Sequence, residues 1–245
     1  MRASLGLFST AVRHSHVYLP VSQMERAFLA TGSAILALAD PRRADMVAML
    51  GETTGTHALS SLRDGMRADV SGAWLLEHRP RILGPHFSPA ALAATHAPTT
   101  LGGAYAKFMA SHDFSADARV PVRLVQDAEL AYVLTRYREV HDFWHVLSGL
   151  PPTVLGEVAL KWFEAAVTKL PSAALAAAGG PLRLTREEAV LLRNTLIPWA
   201  LTAASRVKGS LLSVRYELLL DEPLDKVQEM IHFLPAPHIH TTTAT

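Results

Sequence analysis

Two neighbouring runs decide the reading of this chain: Tyr137-Arg-Glu-Val-His-Asp-Phe-Trp-His145, and Leu155-Gly-Glu-Val-Ala-Leu-Lys-Trp-Phe-Glu164 beyond Gly149-Leu-Pro-Pro152. Both are free of internal Pro and carry apolar residues at helical spacing, so helices are expected over residues 127–147 and 152–170. Helical positions advance by about 100° per residue, so His141, Asp142 and His145 project from one arc roughly 100° wide. Two imidazoles one turn apart can aim their nitrogens at one point, as a metal at about 2.0–2.2 Å requires. Asp142 can be a third ligand or a base acting on bound water. Three groups from one helix rarely close a coordination shell, and Gly149-Leu-Pro-Pro152 forces a reversal that brings Glu157 back beside the His pair. The expectation is one divalent ion on a helical hairpin, held by His141, Asp142, His145 and Glu157. A plain surface pair of histidines is the alternative.

Neighbours on the same faces extend the expectation. Lys161, four residues after Glu157, is expected to pair with it and orient it. Arg138 is expected to pair with Asp142, and Glu164 is read as a solvated acid on the Glu157 face. Phe143, Trp144 and Trp162 are read as core.

Working outward, most of the chain reads as helix. Segments 21–39, 41–50, 57–77, 101–111 and 224–233 are apolar at helical spacing. Asp40-Pro41 looks like a cap and first helical position, and Gly51-Glu-Thr-Thr-Gly55 like a tight polar turn. That turn could cradle an anion, but it lacks the lysine of a phosphate loop. Residues 79–100 contain four prolines and are expected to be loop around one short helix. Thr185-Arg-Glu-Glu188 matches a capping box, and Pro198 should kink the helix that follows. No alternation typical of strands and no internal repeat stands out. The fold class is all-α: a single-domain helical bundle over residues 17–234.

The chain has 245 residues, of which 49% are hydrophobic, enough for one sizeable core. Lys plus Arg (23) balances Asp plus Glu (22), which leaves no basic footprint for nucleic acid. There is no Cys, so any transition-metal site must use His, Asp, Glu and water. No run reaches the roughly 18 to 20 apolar residues that span a bilayer. The acid-free N-terminus, with Arg2, Arg13 and scattered serines, has the composition of a mitochondrial transit peptide, assigned here to residues 1–16. The Pro- and Thr-rich tail 235–245, with His238 and His240, is expected to be disordered.

Spacing alone leaves two chemistries open. The pattern imitates the H-E-x-x-H hydrolases, where the residue after the first His is a base, although Asp is shorter than Glu. It also suits a Lewis-acid centre for an oxygen-rich substrate.

His141-Asp-Phe-Trp-His145, eleven residues and then Glu157 resemble the H-D-x-x-H-x11-E signature of the coenzyme Q biosynthesis protein 4 family. Residues 136–142 and 155–164 resemble the core of that family. So do Asp45-Met-Val-Ala-Met-Leu-Gly-Glu-Thr-Thr-Gly55, Gly180-Pro-Leu-Arg-Leu184 and Leu196-Ile-Pro-Trp-Ala200, in the same order. The Ala-rich segment 172–179 and the region after Glu217 depart from the pattern. The resemblance implies an all-helical mitochondrial protein, peripheral on the matrix face of the inner membrane. It implies a divalent ion, usually zinc, on His141, Asp142, His145 and Glu157; a pair of histidines and a carboxylate also suit iron. It implies a homodimer working with other ubiquinone-synthesis proteins. The implied reaction is C1-decarboxylation, with or without oxidation, of a polyprenylated 4-hydroxybenzoate-type ring (4-hydroxy-3-methoxy-5-polyprenylbenzoate). A non-catalytic lipid-binding scaffold and a metal hydrolase are the competing functions. The nearly uncharged stretch 170–182 is expected to touch the membrane, with Leu175 on the contact face.

Overall fold

A computed structural model describes residues 16–39 and 43–238. The expected leader, apart from His16, the Asp40-Pro41 cap and His240 lie outside them. The described residues form twelve α-helices: α1 (Gln23–Ala39), α2 (Ala44–Thr54), α3 (Thr56–Arg67), α4 (Val70–His78), α5 (Pro89–Thr95), α6 (Leu101–Ser111), α7 (Ala128–Ser148), α8 (Val154–Thr168), α9 (Pro171–Gly179), α10 (Arg186–Leu191), α11 (Ile197–Arg206) and α12 (Leu224–Met230). Among the described residues the only β-type pairing is one isolated bridge, Thr100 to Pro223. The all-α class expected from the sequence is the class observed.

The long helix α7 is buried around most of its circumference, from Leu130 to Ser148, and forms the axis of the molecule. Asp127 caps its start by accepting from the amides of Glu129 and Leu130. Gly149 ends it at φ 73°, in the left-handed region where a Cβ is costly. Thr153 then caps α8 by accepting from the Gly156 amide. Tyr137 meets Glu164 while His145 meets Glu157, the order of an antiparallel pair. α3 and α6 also pack on α7, α11 packs on α8, and α9 is wedged between α2 and α8 with α1 outside them.

Several expectations are corrected. Segment 57–77 is two helices, because Asp69 caps a new start by accepting from the Gly72 amide. The run Gly51–Gly55 is the last turn of α2 rather than a polar loop. The Thr53 and Thr54 hydroxyls donate to the Met49 and Leu50 carbonyls, so neither faces an anion. Glu52, buried in that turn, accepts from the Arg123 and Leu124 amides and pairs with Arg138, tying α2 to the loop before α7. Segment 170–182 is only in part an outer face: Ser172, Ala173, Ala177 and Gly179 are buried, while Pro171, Ala174, Ala178 and Leu182 are exposed.

Other expectations agree with the structure. The capping box at Thr185 and Glu188 forms. Ahead of Pro198 one turn widens, with the Ile197 amide donating to the Leu192 carbonyl. The tail departs from its expectation: it is anchored at its start, the Ala236 amide donating to the Ser148 carbonyl, and residues 239–245 lie outside the described residues.

Candidate metal centre

His141 and His145 project from α7, and Glu157 reaches them from the first turn of α8. One ligand atom from each lies within 4.8 Å of the others. Glu157 Oε1 stands 3.1 Å from His145 Nε2, and its Oε2 stands 3.6 Å from His141 Nε2. The two rings stand edge to face, 4.8 Å between centroids.

The other nitrogen of each ring is committed. His145 Nδ1 donates to the Leu150 carbonyl in the reversal, at 3.0 Å, and the ring stacks on Phe108. His141 Nδ1 donates to Glu164 Oε1 at 2.5 Å. Both Nε2 atoms are thereby left to face Glu157. His145 Nε2 is buried and has no hydrogen-bond partner, since Glu157 Oε1 lies near but out of line. A buried lone pair without a donor is costly in a folded chain. Two Nε2 atoms and a carboxylate are the donor set a divalent first-row ion takes, with orienting acceptors behind both imidazoles. The residues present fit such an ion.

Asp142, the remaining expected ligand, points at the same cavity but is held by Arg119 through Oδ2. Arg119 also donates to the Ile82 and Ala116 carbonyls. Three readings from the sequence are thus replaced. Arg138 pairs with Glu52 at 2.9 Å instead of Asp142. Lys161 pairs with Glu164 at 2.6 Å instead of Glu157. Glu164 is not solvated but wholly buried, and the Tyr137 hydroxyl also donates to it.

The charges respond. Burial and Lys161 both oppose a proton on His141, but Glu164 and Glu157 outweigh them and raise its pKa to about 9. Burial works against the Glu164 anion, yet Lys161 and His141 hold its pKa down to about 2. Glu157 is likewise held well below the usual carboxylate range, its burial outweighed by the imidazoles of His141 and His145 beside it.

A cavity of about 680 Å³ opens onto this cluster. His141, Asp142, Glu157, Lys161 and Arg119 line its polar end. Ala48, Leu50, Leu134, Ala173, Leu175 and Ala176 line the rest, and Ala37 and Leu38 of α1 with Gly180 and Arg183 close it. Leu175 therefore faces the cavity. Tyr137 and Glu164 were legible in principle, one on the His141 face of α7 and the other on the Glu157 face of α8. Arg119 sits in an irregular loop with no periodicity to betray it.

Residues 15–237 match the family model described as coenzyme Q (ubiquinone) biosynthesis protein Coq4. A curated rat protein, ubiquinone biosynthesis protein COQ4 homolog, mitochondrial, is 43% identical over 90% of this chain and 82% of its own. The human homologue is 43% identical over 93% and 84%. The mitochondrial coq4 protein of Schizosaccharomyces japonicus is 39% identical over 92% and 94%. A crystal structure described as a ubiquinone biosynthesis protein from Nostoc punctiforme superposes with a TM-score of 0.66. It is 22% identical and covers 82% of this chain and 95% of that one, a likeness of fold.

Proposed function

Because the chain belongs to the coenzyme Q (ubiquinone) biosynthesis protein Coq4 family, we propose that it is a metal-dependent decarboxylase of a polyprenylated 4-hydroxybenzoate-type acid. The observation that carries this reading is the junction of a cluster of two histidines and one carboxylate with an apolar cavity of about 680 Å³. That volume lies within the range of small-molecule sites, roughly 300–1,000 Å³.

His141, His145 and Glu157 would hold the ion, and Asp142 would add its Oδ1 while Arg119 keeps Oδ2. Zinc or ferrous iron bound there would supply a Lewis acid for the ring's carboxylate or phenolate. Charge matching favours such an anion. Asp142 is balanced by Arg119 and Glu164 by Lys161, so a divalent ion facing Glu157 keeps one net positive charge. Ala48, Leu134 and Ala176 leave apolar room for the tail, each buried CH2 contributing about 0.8 kcal/mol. In the reaction the ring carbon–carboxylate bond breaks, CO2 leaves, and the electron pair stays on the ring carbon until a proton replaces it. Because Arg119 already occupies the Asp142 carboxylate, Asp142 is poorly placed as the free base a hydrolase needs.

The curated relatives named as mitochondrial support a mitochondrial setting, and the family supports work alongside other ubiquinone-synthesis proteins. No described helix is long and apolar enough to cross a membrane. The outer face of α1 exposes Met24, Phe28 and Ile35, with Leu182 nearby on the closing turn of the cavity. We assign to that face the peripheral contact with the inner membrane on its matrix side. A homodimer is the expected assembly.

The test is metal analysis of purified wild type and His145→Ala, then CO2 release from a short-chain prenylated hydroxybenzoate in anaerobic and aerated buffer. Wild type should hold one zinc or iron and turn over. His145→Ala should lose both properties while keeping its helical circular dichroism. A wild type without metal, or a fully active His145→Ala, sinks the reading. A need for O2 would show that hydroxyl, rather than a proton, replaces the carboxylate.

A further inference from the structure

Glu164 is, with Glu52, among the most heavily committed acids of the described residues. Its carboxylate is fully buried and takes three donors: His141 Nδ1 at 2.5 Å, Lys161 Nζ at 2.6 Å, and the Tyr137 hydroxyl. Tyr137 stands one turn before His141 on α7, and Lys161 one turn after Glu157 on α8. Both helices of the hairpin thus converge on a group that does not itself face the cavity. A buried ion pair seldom adds net stability over apolar packing of the same volume. This one sits directly behind an imidazole whose far nitrogen faces Glu157.

We infer that Glu164 is a positioning residue, with Lys161 and Tyr137 as its supports, and that it sets His141 to offer Nε2 to a divalent ion. The inference rests on the metal-centre reading above. When an ion displaces the Nε2 proton, the anionic acceptor on Nδ1 keeps the other proton there, so Nε2 offers the lone pair. It also makes the ring a stronger donor than a neutral acceptor would. His145 has only such a neutral acceptor, the Leu150 carbonyl. The two imidazoles are therefore unequal, and His141 is the one tuned by charge. Lys161 balances Glu164, so the tuning adds no net charge to the ion's surroundings. Tyr137 joins Lys161 on Oε2, opposite the oxygen that takes His141, and so helps stop the carboxylate from turning.

The test uses the full chain stripped of metal and titrated with Zn2+ against a chromophoric chelator, and with Co2+ followed by its visible bands. Glu164→Gln should fold yet bind Zn2+ about 10- to 100-fold more weakly, with altered Co2+ bands. The pair Lys161→Met with Glu164→Gln, which leaves no unbalanced buried lysine, should show the same loss. Glu164→Asp should recover part of it. A folded Glu164→Gln or double variant with wild-type affinity and spectrum overturns the inference. So does 15N NMR of the zinc-loaded wild type if His141 carries its proton on Nε2. A wild type that binds neither metal overturns this inference and the metal-centre reading together. Normal wild-type binding with unaffected variants overturns only the inference.

Discussion

Asp127 closes the loop ahead of α7 and accepts from the Leu130 and Glu129 amides, hydrogen bonds that hold its carboxyl below the ordinary value of about 3.8. A lowered native value means that the ionised form favours the folded state. The stabilisation is present above the unfolded value and is lost as pH falls through the native one. Asp127→Ala should therefore cost about 1 kcal/mol at pH 7, and the gap to wild type should close in strong acid. Thermal melts at both pH values check this; a gap that persists in strong acid would place the effect elsewhere. At the same scale the site shows how far local spacing reaches. The partner of Arg138 is Glu52 on another helix, and the partner of Asp142 is Arg119 in a loop. Long cationic side chains choose among all carboxylates in reach, and neighbours along the helix hold no privilege once the chain is compact.

The hairpin between α7 and α8 is the element that assembles the site, and Gly156 is its tightest point. A Cβ there would stand 2.0 Å from the Pro151 carbonyl oxygen, so any larger residue must push the start of α8 away from the reversal. Glu157 is the next residue. Gly156→Ala should destabilise the fold by about 1–3 kcal/mol. It should also weaken Zn2+ binding by at least about tenfold, since each ~1.4 kcal/mol lost from a misplaced ligand is a factor of ten. A melt and a metal titration on the same sample check both; a stable variant with normal affinity would show that the turn has slack. Elsewhere the elements follow their local signals. Asp69 starts α4, and the widened turn at Leu192–Leu196 absorbs the amide that Pro198 lacks.

For the whole molecule the informative contrast is between α9 and α1. Both are poor in charge, yet α9 is wedged between α2 and α8 and lines the cavity, while α1 lies outermost. Phe28 is 83% and Leu182 85% exposed, so neither supports the core. The variant Phe28→Glu with Leu182→Glu should melt like wild type and sediment several-fold less with vesicles containing cardiolipin. Equal sedimentation would remove this face from the membrane reading. It would point instead to a second copy of the chain, which the elution volume would reveal.

Periodicity, caps and breakers were enough to establish an all-helical chain. The i, i+4 histidines with the Gly149–Pro152 reversal were enough to bring Glu157 to them, because those relations depend only on helix geometry and the stiffness of Pro. The order of motifs identified the family. The structure alone decided which acid meets which base, that Glu164 lies buried behind His141, and which uncharged helix faces outward. Burial and long-range pairing depend on where helices distant in sequence come to rest, and one helix's own spacing carries no record of that. Around the histidine cluster that the sequence announced at His141 and His145, Glu164 and Arg119 stand where only packing brings them.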